Sequence, residues 1–253
     1  MSLIIMEPDV LKTRDEILEA ILYSCASNPF LRENLVFQGG GALHFVYGSP
    51  RYSNDLDFVC PDLPDLEKKI CEILTRGIKV RDRNIAPALK TPDKQIRASY
   101  SLQRGLPAGK LEIYHQKSFE PVETQGKFSP LKVETPSEIY ADKIAATLGR
   151  MQRRDSIKPT DLFDLEYILS NLHRNASLND VQAKMTSYEE GKINAESLQR
   201  IIDYIKNPEN HPGFRTAFKR TLMPDVYKSM ELNAEYFEAL SFHFERLLNQ
   251  LPA

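Results

Sequence analysis

The chain has 253 residues, 42% hydrophobic and 27% charged, with a formal net charge of -2; it can bury one large core or two small ones, and it lacks the overall basicity of a nucleic-acid coat protein. Cys25, Cys60 and Cys71 lack CxxC spacing and the five histidines are scattered, which argues against a disulfide framework or zinc site and for a reducing cytosol. No apolar run approaches the ~20 residues of a membrane span, and residues 1–10 carry Glu7 and Asp9 where a leader would be basic, so a cytoplasmic protein with no membrane partner is expected.

Leu11, Ile17, Leu18, Ile21, Leu22 and Cys25 recur at helical spacing, with Thr13 and Asp15 as capping candidates and Asn28-Pro29 as the stop. The string Glu33-Asn34-Leu35-Val36-Phe37-Gln38-Gly39 matches a protease site used in expression tags, but it lies inside the chain and reads as a buried strand. Gly39, Gly40 and Gly41 follow, then a brief helix over residues 42–47, closed by Gly48-Ser49-Pro50, and a second strand over residues 55–60. Pro61-Asp62-Leu63-Pro64 opens a helix that Arg76-Gly77 closes. Strands are predicted at residues 78–89, 95–103 and 110–115, with turns at residues 91–93 and 105–109, and a further strand within residues 128–133.

At Thr135-Pro136-Ser137-Glu138 the character changes: Thr as N-cap, Pro at the first helical position and Glu three residues past the Thr form a helix start. Helices are predicted at residues 136–151, 160–171, 178–189, 195–207, 212–222 and 233–251. The expectation is an α+β chain, with a mixed sheet and a few helices over residues 1–134 and a helical domain over residues 135–253.

Side chains alternate across a strand, so Asp55 and Asp57 share one face while Leu56 and Phe58 point into a core. An isolated Asp-x-Asp is more often merely solvated, but a glycine turn between strand and helix presents backbone N–H groups to an anion. Carboxylates beside a phosphate-binding turn suit magnesium, which binds through one or two carboxylates and substrate phosphates. Glu112, between Leu111 and Ile113, points away from its apolar neighbours and is either a third metal carboxylate or an exposed strand glutamate. Arg51 and Ser53 could reach triphosphate oxygens. Arg150, Arg153, Arg154 and Lys158 form a basic loop, interrupted by Asp155, that is either a solvated turn or a landing place for an acceptor's phosphates. Lys143 sits at the flank of the stripe of Tyr140, Ile144, Thr147 and Met151, a common place for a solvated lysine, and Asp161 and Asp164 share a face in the first turn of their helix. His44, on the short helix, suits a supporting role better than catalysis.

Gly39-Gly40-Gly41-Ala42-Leu43, Gly48 and Arg51-Tyr52-Ser53-Asn54-Asp55-Leu56-Asp57-Phe58, with Ala141-Asp142-Lys143-Ile144-Ala145-Ala146 and Asp161-Leu162-Phe163-Asp164-Leu165, resemble the AbiEii/AbiGii toxin-type nucleotidyltransferases of the DNA polymerase beta-like superfamily. That family shares a Gly-Gly-Thr/Ser turn, a DxD strand, a helical lysine and a later DxxD, and the four appear here in order. The resemblance implies a polymerase beta-like mixed sheet followed by a helical domain, with Gly39 and Gly40 on the β- and γ-phosphates of an NTP. Asp55 and Asp57 would bind magnesium or manganese, Lys143 would contact nucleotide phosphate, and Asp161 or Asp164 would complete the site. It also implies transfer of NMP to an acceptor hydroxyl of a tRNA 3′ end, a protein or a small molecule, and a separately encoded antitoxin. Gly41 stands where the family usually has Thr or Ser, so a hydroxyl contact to phosphate is lost and weaker NTP affinity is expected; a non-catalytic NTP sensor on the same fold is the alternative.

Overall fold

The computed structural model describes residues 8–102, 109–189 and 191–251; the acidic start up to Glu7 and the turn expected before Gly109 lie outside them. The chain divides into two compact units, one of Met1–Gly48 and Tyr52–Thr135, the other of Ser49–Arg51 and Pro136–Ala253.

In the first unit, α1 (Pro8–Ser27) buries Ile17, Leu18, Ile21, Leu22 and Cys25 along one stripe. Asn28-Pro29 does more than stop it: the Asn28 side chain accepts a hydrogen bond from Leu31 N at 3.1 Å and Pro29 takes the first helical position, so a short second helix, α2 (Pro29–Asn34), begins at once. Then come β1 (Val36–Gln38), α3 (Gly39–Phe45), β2 (Asp55–Val59) and α4 (Leu63–Leu74). β1 is buried throughout, so Leu35 to Gln38 of the protease-like string are part of the core while Glu33 stays exposed.

The single strand expected over residues 78–89 is instead a hairpin, β3 (Ile78–Val80) and β4 (Arg83–Ile85), followed by β5 (Ala88–Lys90). Arg81 takes a left-handed φ of 52° that reverses the chain, and Pro87 has no N–H with which to continue a ladder. β6 (Gln95–Tyr100), β7 (Gly109–Tyr114), β8 (Val122–Glu123) and β9 (Lys132–Val133) complete the unit. The strand expected within residues 128–133 shrinks to its end, because Gly126–Phe128 forms a 3-10 turn and Pro130 lacks a donor.

Among the described residues these strands form a seven-stranded sheet in the order β5-β6-β7-β2-β1-β9-β8, with β3-β4 apart. β2 lies between β1, antiparallel, and β7, parallel, so the sheet is mixed. Leu56, Phe58, Leu111, Ile113, Ile96 and Ala98 are all fully buried, and the Phe37 and Phe58 rings stack at 4.9 Å.

The second unit is helical: α5 (Pro136–Arg154), α6 (Pro159–Leu172), α7 (Leu178–Ser187), α8 (Ala195–Lys206), α9 (His211–Thr221), α10 (Pro224–Ser229) and α11 (Ala234–Leu248). A capping box of Ser177 and Asp180 starts α7. Lys184 on α7, 1% exposed, pairs with Glu138 at 2.6 Å and Asp142 at 3.1 Å on α5. α8 packs against α11, both burying apolar faces (Leu198, Ile201, Ile205; Phe237, Leu240, Phe244). Among the described residues no helix is long and apolar enough to cross a membrane.

Candidate active site

The carboxylate strand is fixed by its neighbours. Asp55 and Asp57 are half-buried on one face of β2 while Leu56 and Phe58 vanish into the core. Parallel pairing sets Asp55 opposite Lys110 and Asp57 opposite Glu112, and antiparallel pairing sets Glu112 opposite Arg97, so acids and bases share that face. Asp55 Oδ1 is buried without a hydrogen-bond partner and lies 3.6 Å from Lys110 Nζ. The Ser53 hydroxyl donates to Asp55 O at 2.7 Å, so it is engaged by backbone.

The three glycines form the first turn of α3, with no side-chain cap from Gln38; amides there lack intrahelical acceptors. Gly39 has a φ of +70°, and a side chain on it would start 3.4 Å from Asp57 Oδ2. At Gly41 a Cβ would meet Asp55 O and the Phe37 ring at 3.1 Å. The stacked Phe37 thus crowds any side chain at Gly41. His44, on the same helix, pairs with Asp15 at 3.1 Å.

Glu112 shares the face of the two aspartates, but its oxygens are occupied. Tyr114 OH donates to Oε2, Gln95 Nε2 donates to the same oxygen at 3.4 Å, and Arg97 lies 3.6 Å from Oε1. Burial, then Asp57 and the bond to Glu112, push the Tyr114 phenol far above its ordinary pKa, which keeps it a donor. Among the described residues no three or more His, Cys, Asp or Glu side chains gather into a metal-binding set. Asp55 and Asp57, hard oxygen donors on one face with one oxygen unsatisfied, fit the two-carboxylate share of a magnesium site that substrate phosphates complete. Lys110, Arg97 and Tyr114 were not singled out from sequence, although the alternation Lys110-Leu111-Glu112-Ile113-Tyr114 carried the signal.

The motif residues of the helical unit form a buried ionic cluster. Lys143, far from being solvated, is 9% exposed, with Nζ 2.7 Å from Asp161 Oδ1 and 2.8 Å from Asp164 Oδ2. Arg51 belongs to this unit: it bridges Leu222, and Met223 N donates to Pro50 O at 3.1 Å. Its guanidinium forks onto Asp164 through Nε at 2.6 Å and Nη2 at 2.8 Å. α5 runs on to Arg154, so Arg150, Arg153 and Arg154 of the expected basic loop are helical, and Arg150 pairs with Asp161. Burial pulls the Lys143 pKa down, but Asp161 and Asp164 outweigh it and hold it above its ordinary value. Burial likewise opposes the charge on Asp161, yet Lys143, Lys158 and Arg150 hold it well below the usual carboxylate range. Arg153, Arg154 and Lys158 are exposed, and Asp155 among them pairs with Arg200 at 2.7 Å.

This α+β arrangement, a mixed sheet plus a helical unit, is a nucleotidyltransferase fold. It is shared with JHP933 from Helicobacter pylori, at 17% identity and a TM-score of 0.51 over 97% of this chain and 94% of that one. A second Helicobacter pylori protein, provisionally assigned as a nucleotidyltransferase, is 18% identical with a TM-score of 0.52 over 97% of each chain. MenT4, a nucleotidyltransferase toxin from Mycobacterium tuberculosis, is 18% identical with a TM-score of 0.49 over 96% and 89%. No curated protein sequence matches the chain. The model of the nucleotidyl transferase AbiEii toxin family, of type IV toxin–antitoxin systems, matches residues 20–240. The chain belongs to that family and is a nucleotidyltransferase.

Proposed function

We propose that this toxin-family enzyme moves a nucleoside monophosphate from an NTP to an acceptor hydroxyl, with Asp55 and Asp57 holding magnesium, or manganese in its place. The observation that carries the reading is the placement of Asp57 Oδ2 against Gly39, which sets the carboxylate pair beside the first amides of α3. The amides of Gly39, Gly40 and Gly41 orient the β- and γ-phosphates, and Gly39 leaves room for them beside Asp57. Magnesium held by Asp55 and Asp57 would supply charge neutralisation at the phosphates and leaving pyrophosphate. The acceptor oxygen bonds to the α-phosphorus, the bond to the β-phosphate oxygen breaks, pyrophosphate leaves and the hydroxyl proton passes to solvent. Lys143 takes the phosphate contact that its motif implies and Arg51 supports it through Asp164, while Ser53 holds the Asp55 carbonyl of the carboxylate strand. Glu112 would add a third carboxylate only if Tyr114 and Arg97 released its oxygens. Arg153, Arg154 and Lys158 are the acceptor's phosphate contacts, Arg150 being held on Asp161, and a tRNA 3′ end is the acceptor of choice. A separately encoded antitoxin is its partner.

Incubation with each α-labelled NTP, magnesium and total RNA tests this, with chelator and Asp57→Ala as controls. Metal-dependent label in tRNA that Asp57→Ala abolishes is the expected result. Label in protein or small molecules redirects the acceptor, and no label with any NTP or acceptor contradicts the reading.

A further inference from the structure

The carboxylates of Asp161 and Asp164 are spent on cations of their own unit. Asp164, fully buried, accepts Arg51 Nε at Oδ1, and Arg51 Nη2 and Lys143 Nζ at Oδ2, all within 2.6 to 2.8 Å. Asp161 accepts Lys143 at one oxygen and Arg150 at the other. Neither carboxylate is left with an oxygen unengaged, which suits a fixed buried anion better than a ligand for substrate or metal. We propose that Asp164 and Arg51 are positioning residues: Arg51 locks Asp164 by its two-pronged ion pair, and Asp164 with Asp161 holds the Lys143 ammonium in one place. The proposal rests on the reading above only in that Lys143 meets nucleotide phosphate.

The backbone supports the lock. Arg51 is paired to Leu222 and its neighbour Pro50 to Met223, so the guanidinium is delivered by an anchored segment. A planar fork fits a carboxylate at two points, which lysine cannot do. The groups facing Lys143 are Asp161 and Asp164 from α6 and Arg51 from the anchored segment, and Arg150 reaches the same Asp161 from α5. Three cations face two carboxylates, so removing one carboxylate leaves Lys143 buried beside Arg51 with half its compensation. Burial then favours the neutral amine.

The test is equilibrium binding of a non-hydrolysable NTP analogue, in magnesium, across pH from roughly 7 to 9.5, by calorimetry. The unaltered protein should bind with little pH dependence. Asp164→Asn should bind several-fold more weakly at the lower end, and the deficit should grow to about tenfold or more at the upper end as Lys143 deprotonates. Arg51→Lys, which keeps the charge but loses the fork, should weaken binding without restoring wild-type affinity. If Asp164→Asn does not fold, Asp161→Asn reads the same shift, because its carboxylate faces the same Nζ. Variants that bind as tightly as wild type at every pH, or that lose only unfolding temperature, overturn the proposal. Failure of the unaltered protein to bind the analogue overturns the nucleotide reading instead.

Discussion

At Asp57 the exchange of one oxygen for nitrogen halves the charge of the metal pair while keeping its volume. Asp57→Asn should lower label transfer by at least about a hundredfold with the unfolding temperature essentially unchanged, since the side chain is only half-buried; parallel activity and calorimetric measurements check both halves. Gly41 is sensitive in the opposite sense. Gly41→Ser adds the hydroxyl that the family resemblance leads one to expect there, but its Cβ would press on Asp55 O and the Phe37 ring at 3.1 Å. It should cost about 1 kcal/mol of stability and gain no NTP affinity, as urea unfolding and analogue titration would register. The alternation that set Asp55 and Asp57 on one face was legible from the strand period alone. The ion-pair partners were not: Lys143 sits at the flank of an apolar stripe, and only the return of α6 with Asp161 and Asp164 turns a margin position into a buried one.

Between elements, the docking of α7 on α5 depends on one buried amine. Lys184→Ala leaves Glu138 and Asp142 without their common cation and should cost about 3–5 kcal/mol, seen as a drop in denaturant midpoint. The helix announced by Thr135-Pro136-Ser137-Glu138 was readable in sequence, and those from Leu178 and Ala195 were placed although their caps, Ser177 and Asn194, were not read. Elements set by a single backbone angle were not readable. The left-handed Arg81 breaks a continuous β-like pattern into a hairpin, and α10, only six residues long, has too little pattern to detect. Asn28-Pro29 carried two meanings, a stop and a start, and sequence inspection caught the first.

For the whole molecule, the buried ionic cluster makes stability depend on acid. An unfolded aspartate titrates near about 3.9, whereas folded Asp161 is held below that range by Lys143, Lys158 and Arg150 against its burial. Its stabilisation is therefore fully present above the unfolded value and is lost as pH falls through the folded one. Unfolding free energy should decline below roughly pH 4, and Asp161→Asn should flatten that decline in denaturant titrations. The family was legible because its four motifs are short, ordered and chemically constrained, and the family model then matched residues 20–240. The acceptor was not, because exposed basic side chains such as Arg153, Arg154 and Lys158 are read alike by RNA, protein and solvent. The most direct test of the central claim is label transfer from an α-labelled NTP to tRNA with magnesium present or chelated, in wild type and Asp57→Ala. Transfer that needs both magnesium and Asp57 is predicted; transfer that survives chelation, or survives in Asp57→Ala, would contradict the assignment of the carboxylate pair.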